Sequence, residues 1–212
     1  YGLVDKIAEL DPKPHIIFSS PNIPNPEEYL RLVPEDEGKK GQHSTYSPVC
    51  QMKYLVDLRD GVVKAYNDYS REFIQMGNAS SRLDLSSLIN HVRGRNEQNI
   101  VYCSSLRETI DYAVEFASTL SPVTDPKKKE ELEGISKRIR AEINSDYFLA
   151  DLLSKGVAFH VGYLPASIRL RIEEAFKNHI INTLFCTSTL IEGVNLPADN
   201  LFITSFKNGR TN

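Results

Sequence analysis

The 212-residue chain is 41% hydrophobic and 25% charged, with a formal net charge of -3. This balance excludes a disordered, fibrous or disulfide-stapled chain and leaves room for one or two domains with a real core. The three cysteines are odd in number and far apart, which favours a reduced, cytoplasmic setting. No apolar run approaches the roughly 20 residues that span a bilayer, so no membrane partner is expected. The five histidines form no pair at ligand spacing, so no metal site is expected either.

The first 50 residues predict one strand and a long connection. Residues 14–20 are a short apolar run bounded by prolines, a pattern typical of a buried strand followed by a loop. The stretch up to about residue 41 is rich in proline and charge. We expect a linker there, with one helical turn at residues 27–32.

A β-hairpin is predicted next, because apolar residues alternate through 52–58, an Asp60-Gly61 pair follows, and a second apolar run covers 62–66. Apolar residues at helical spacing then predict a helix over 83–92, which Gly94 ends.

From residue 99 onward, short apolar strands alternate with amphipathic helices, which indicates a parallel sheet covered on both faces. Ser105 and Glu108 are spaced as a helix capping box, and Pro165 suits the first turn of a helix. Residues 121–155 are a charged helical insertion whose second, short helix starts near residue 146 and ends at Gly156. The expected strands are 99–103, 157–160, 182–186 and 200–204, and the main helices begin at residues 105 and 165.

Polar groups follow three of these strands, where the carboxyl ends of parallel strands form a ligand crevice. Hydroxyls and helix N-termini favour phosphate, and a glycine lets a backbone come close to a ligand. Each group also has a structural explanation, as a helix cap or a turn. We expect all three to lie side by side along one edge of the sheet. The groups are Ser104, Ser105 and Arg107 after the first strand, Gly162 after the second, and Thr187 and Ser188 after the third.

The amino-acid sequences of these segments resemble motifs of the DEAD/DEAH-box helicases of superfamily 2, in particular those of the DExH branch. NIVYCSS at 99–105 resembles motif IV, GVAFHVGYLP at 156–165 resembles motif IVb, and CTSTLIEGVNLPADN at 186–200 resembles motif V; IIFSSPNIPNPEEY at 16–29 resembles motif III more weakly. The resemblance implies an incomplete α/β RecA-like domain with a parallel sheet and flanking helices. Residues 1–45 would be the end of a first RecA-like domain and a linker, and 46–212 a second RecA-like domain that stops before motif VI.

The resemblance also implies an ATP-dependent nucleic-acid helicase. In that family Ser104, Ser105, Arg107, Gly162, Thr187 and Ser188 would contact the nucleic-acid backbone, and Glu192, Gly193 and Asn195 would face ATP. The expected partners are single-stranded or duplex RNA or DNA and a preceding RecA-like domain, with ATP and Mg²⁺ as cofactors of the full-length protein. The phosphate-binding pattern G-x-x-x-x-G-K-[ST] occurs nowhere in the 212 residues, so the chain alone is expected to bind no cofactor and to hydrolyse no ATP.

Two other interpretations remain. One is a non-catalytic RecA-like module that binds nucleic acid or protein, which predicts the same residues. The other is a small-molecule α/β enzyme, which is disfavoured because the sequence has no G-x-S-x-G, no G-x-G-x-x-G and no Cys-His pairing. The choice between RNA and DNA stays open.

Overall fold

The computed structural model describes residues 27–31, 40–41, 51–79, 83–94, 97–190 and 196–205. The chain divides into two compact units, Tyr1–Lys53 and Tyr54–Asn212. In the first unit the helical turn predicted at 27–32 is confirmed as α1, Glu27–Leu30. The strand predicted at 14–20 lies outside the described residues.

The predicted hairpin is confirmed and is part of a three-stranded antiparallel sheet. Its strands are β1 Tyr54–Val56, β2 Val62–Asn67 and β3 Glu72–Asn78, in the order β1-β2-β3. Gly61 takes φ 68° in the turn, a left-handed conformation that glycine adopts without a steric penalty. The sequence analysis missed β3. Its residues are all exposed and lack apolar alternation, so the signal of a half-buried strand is absent.

Helix α2, Leu85–Val92, and helix α3, Leu106–Ser118, flank strand β4, Asn99–Tyr102. Both helices begin at a capping side chain. Asp84 accepts from the backbone N–H of Ser87 at 2.7 Å, and Ser105 accepts from that of Glu108 at 3.3 Å. Each cap satisfies a backbone donor that the first helical turn leaves without a partner.

The remaining elements match the predicted alternation of strand and helix. The charged insertion contains two helices, and Gly156 ends its second one at φ 72°. In chain order the elements are α4 Pro126–Glu142, α5 Leu149–Leu153, β5 Val157–His160, α6 Ala166–Lys177, β6 Thr183–Cys186, a 3-10 turn at Ser188–Leu190 and β7 Asn200–Ile203.

Strands β4 to β7 form a four-stranded sheet in the order β5-β6-β4-β7, and all its neighbours are parallel. Phe159 and Phe185 are register partners and therefore share one face. Phe116 of α3 packs on Phe185 with ring centroids 5.8 Å apart, and Phe148 packs on Phe159 at 5.6 Å. On the opposite face His160 contacts Glu173 of α6. The parallel sheet with helices on both faces is confirmed.

At the amino ends of these strands, polar residues form hydrogen bonds with one another and with the neighbouring backbone. The backbone N–H of Gln98 donates to Asp199 Oδ2 at 2.8 Å, and the Gln98 side-chain amide donates to the Phe176 carbonyl. Asn200 Nδ2 donates to Asn99 Oδ1 at 3.0 Å. We call these residues, 97–99 with 199–200, the amino-end cluster. None of the helices that the structure describes is long and apolar enough to cross a membrane.

Candidate nucleic-acid interface

The three polar groups predicted at strand ends lie on one edge of the parallel sheet. Gly162 follows β5, Thr187 follows β6 and Ser104 follows β4, and these strands are neighbours in that order. The backbone N–H of Cys103 donates to the Cys186 carbonyl at 2.8 Å, so the sheet pairing extends to this edge. The predicted side-by-side placement is confirmed. We call residues 103–105, 162–163 and 187–188 the carboxyl edge.

Thr187 and Ser188 are at the centre of the carboxyl edge. The Thr187 N–H donates to the His160 carbonyl at 3.4 Å, and the Thr187 carbonyl accepts from the Leu190 N–H at 3.2 Å. Leu190 is buried, so it anchors the 3-10 turn from inside. Thr187 is half-buried and Ser188 is exposed. The Thr187 backbone is thus held on both sides, and Ser188 beside it is exposed to solvent.

The predicted phosphate contacts at the start of α3 have partners within the helix. Ser105 caps the helix, as described, and Ser104 Oγ donates to Glu108 Oε2 at 2.8 Å. The expected capping box is therefore half-formed, because the Glu108 carboxylate turns to Ser104. Arg107 Nε lies 3.4 Å from Asp111, with 92% of the Arg107 side chain exposed. An ion pair so exposed is weak and exchangeable, which leaves this cation able to swing to a ligand.

Gly162 is exposed in the turn after β5. The two residues that bracket the turn, Val161 and Leu164, are buried at 3% and 4% exposure. The Leu164 N–H donates to the Val161 carbonyl at 3.1 Å and closes the turn. Tyr163, between them, is 88% exposed. The sequence analysis gave Tyr163 no role.

One further hydroxyl near this edge, that of Thr204, was missed. Thr204 follows β7, and both its N–H and its Oγ1 donate to the Tyr102 carbonyl at 3.1 Å. The sequence analysis placed Thr204 inside the strand predicted at 200–204, whereas the observed strand ends at Ile203, so the strand-end rule that selected Thr187 did not select Thr204. Since the Thr204 hydroxyl donates to the carbonyl of Tyr102, its main role is to join the ends of β7 and β4.

His160 ends β5 directly beneath the carboxyl edge and is 2% exposed. Its Nε2 lies 2.9 Å from Glu173 Oε1, while its buried Nδ1 has no partner among the described residues. Burial lowers the pKa of His160 below its ordinary 6.5, although Glu173 opposes that shift. The ring is therefore neutral at pH 7.

Cys103 and Cys186, also close to the edge, are free and buried. Burial raises the pKa of the Cys103 thiol to about 11 and that of the Cys186 thiol to about 12. Thiols held protonated in this way are poor nucleophiles, so they act as small apolar side chains of the core.

The residues expected to face ATP, Glu192, Gly193 and Asn195, lie outside the described residues. Within the ranges that the structure describes, no three His, Cys, Asp or Glu side chains converge on a metal-sized site.

The chain is similar to several proteins named ATP-dependent DNA helicase Hel308. It is 31% identical over 215 residues to the one from Caldivirga maquilingensis, a match that covers 97% of the chain and 26% of that protein. The one from Pyrobaculum calidifontis is 27% identical over 97% of the chain and 28% of its own length. The one from Methanocella arvoryzae is 29% identical over 58% of the chain and 17% of its own length. No protein-family model matches the chain.

Fold and sequence together define an α/β domain of the RecA-like class. The relatives support a narrower class within it, a fragment of a superfamily 2 helicase of the DExH type. The chain spans about a quarter of the length of the relatives that it matches over 97% of its residues.

Proposed function

We propose that this chain is part of an ATP-dependent helicase and that its carboxyl edge holds the sugar-phosphate backbone of one nucleic-acid strand. The observation that carries the proposal is the alignment of Gly162, Thr187 and Ser104 on three neighbouring parallel strands. Successive strands of a parallel sheet are about 4.8 Å apart, so these groups form a row of polar contacts. A row of contacts can bind successive phosphates along the backbone of a linear polymer.

The polar groups at the carboxyl edge are hydroxyls and backbone amides, and one exposed arginine, Arg107, lies beside them in the first turn of α3. Contacts of this kind bind phosphate and sugar oxygens and carry little base specificity. A motor that advances along any sequence requires such contacts. The Glu108 carboxylate beside Ser104 repels phosphate, and for this reason we assign the strongest contact to Thr187 and Ser188 and a weaker one to the start of α3.

The substrate and the energy source are inferred from the relatives. The Hel308 proteins are named as ATP-dependent DNA helicases, and we extend DNA and ATP to the protein that contains this chain. Glu192, Gly193 and Asn195 remain the residues proposed to face ATP. We assign no Mg²⁺ ligand among the described residues, since no acidic cluster forms there. ATP supplies the free energy for translocation, and the role of the chain is to hold the strand.

The test is the affinity of the purified chain for a fluorescent single-stranded oligonucleotide, measured by anisotropy over a series of salt concentrations. We expect binding that weakens as salt rises, since phosphate contacts release counterions. Thr187→Val removes one hydroxyl at the carboxyl edge and keeps the side-chain shape. The loss of a hydrogen bond to a charged group predicts roughly tenfold weaker binding.

The matched control is Thr183→Val, the same change at the other end of β6. Thr183 is 1% exposed and its hydroxyl has no partner among the described residues. Removing a buried hydroxyl without a partner costs no stability, so this variant is expected to fold and to bind as the parent chain does. Equal loss in both variants, or unchanged affinity in Thr187→Val, would remove Thr187 from the interface.

A further inference from the structure

Tyr163 is one of the two most exposed tyrosines among the described residues, at 88%. It directly follows Gly162 in the turn after β5, and so it stands at one end of the row of polar groups. A tyrosine ring left in water forgoes the free energy that burial of its apolar faces would give. The surface around it provides no partner ring that the structure describes.

The backbone that carries Tyr163 is held firmly. Val161 and Leu164 are inserted in the core on either side, and the Leu164 N–H closes the turn on the Val161 carbonyl. Pro165 comes next, with φ fixed by its ring, and its carbonyl accepts from the N–H groups of Ile168 and Arg169 at 3.0 Å. Because this turn is already rigid, its backbone loses little conformational entropy when a ligand packs on the Tyr163 ring. The free-energy cost of binding there is correspondingly small.

We propose that Tyr163 stacks on a base of the strand whose backbone the carboxyl edge holds. Successive bases of single-stranded nucleic acid stack on aromatic side chains, and the contact tolerates any sequence because every base has a flat π face. The bases of a duplex are already stacked on each other, so the contact selects single-stranded segments and unpaired ends. This inference rests on the proposed function and adds to it a preference for unpaired bases.

The experiment uses an oligonucleotide that contains 2-aminopurine, whose fluorescence is quenched when it stacks, together with anisotropy to measure affinity. We expect the parent chain to quench the probe on binding. Tyr163→Ala should bind roughly 5- to 100-fold more weakly and lose the quenching. Tyr163→Trp should restore both, because the stacking surface returns. Tyr69→Ala is the control, since Tyr69 is 98% exposed in the turn between β2 and β3.

An oligonucleotide with abasic sites separates the base contact from the backbone contact. The parent chain and Tyr163→Ala should bind it with equal affinity, while Thr187→Val should bind it more weakly than either. If Tyr163→Ala leaves affinity and quenching unchanged while Thr187→Val weakens binding, the stacking proposal is overturned and the backbone interface stands. If the parent chain binds no oligonucleotide at all, both proposals are overturned.

Discussion

The two ends of the parallel sheet are both rich in polar side chains, but they use them differently. At the amino end, Gln98 and Asn99 are each 1% exposed and bond to Phe176, Asn182 and Asn200 inside the protein. At the carboxyl edge, Ser105, Gly162 and Ser188 are exposed. A polar residue beside a strand therefore identifies a binding surface only when its burial and its partners are known.

The difference follows from the cost of burying polar groups. Amides removed from water must find partners within the protein, and the amino-end cluster joins β4 to β7 and to the end of α6 in doing so. Ser105, Gly162 and Ser188 at the carboxyl edge keep contact with water, which they can exchange for a ligand. We expect changes at the amino end to lower stability and changes at the carboxyl edge to lower affinity.

The largest effect is predicted for Gln98→Ala at the amino end. The change removes a buried hydrogen bond to the Phe176 carbonyl and leaves a cavity beside β4. We expect the free energy of unfolding to fall by about 2 kcal/mol, measured by denaturant unfolding. Oligonucleotide affinity at a temperature where the variant is folded should not change.

Ser188→Ala at the carboxyl edge is the matched control. Because Ser188 is exposed, its substitution should alter the free energy of unfolding by less than about 0.5 kcal/mol and should weaken binding instead. The comparison between the two ends fails if Gln98→Ala weakens binding as strongly as Ser188→Ala does.

His160 extends the comparison because it lies directly beneath the carboxyl edge and yet is as buried as the amino-end residues Gln98 and Asn99. Burial holds the pKa of the folded-state ring below 6.5, so the unfolded chain binds a proton at a higher pH than the folded protein. The stability that this ring contributes is present above pH 6.5 and is lost as the pH falls through the folded-state value. Each bound proton changes the free energy of unfolding by at most about 1.4 kcal/mol per pH unit.

His160→Gln removes the titrating ring and leaves Glu173 and Arg169, the charged groups that face it, in place. Unfolding free energies measured between pH 7 and pH 5 should fall more steeply for the parent chain than for this variant. Parallel profiles would show that the pKa of His160 is the same in the folded and the unfolded chain, and would contradict the lowered folded-state pKa.

Strands β4, β5, β6 and β7 were predictable from the sequence to within one residue, because each is a short apolar run between turn residues, the pattern typical of a parallel sheet. Strand β3 was not predictable. Its sequence, EFIQMGN, carries the exposed pattern of an edge strand, and only its pairing with β2 makes it a strand.

At the candidate site the sequence predicted that Ser104, Gly162 and Thr187 would lie along one edge, since parallel strands bring their carboxyl ends together. It predicted neither the Ser104–Glu108 hydrogen bond nor the exposure of Tyr163. Both depend on the side-chain rotamer, which the sequence pattern does not specify. A glutamate at the third position of a helix can accept from the backbone N–H of the capping residue or from a neighbouring hydroxyl. A tyrosine in a turn can face the core or the solvent, and the pattern VGYL allows either.

The most direct test of the account is a map of backbone amide chemical shifts of the chain on addition of a single-stranded oligonucleotide. We expect the largest changes at residues 103–105, 162–163 and 187–188, with the amino-end cluster at 97–99 and 199–200 unchanged. Changes concentrated at the amino-end cluster, or on the antiparallel sheet with the carboxyl edge silent, would contradict the proposed interface.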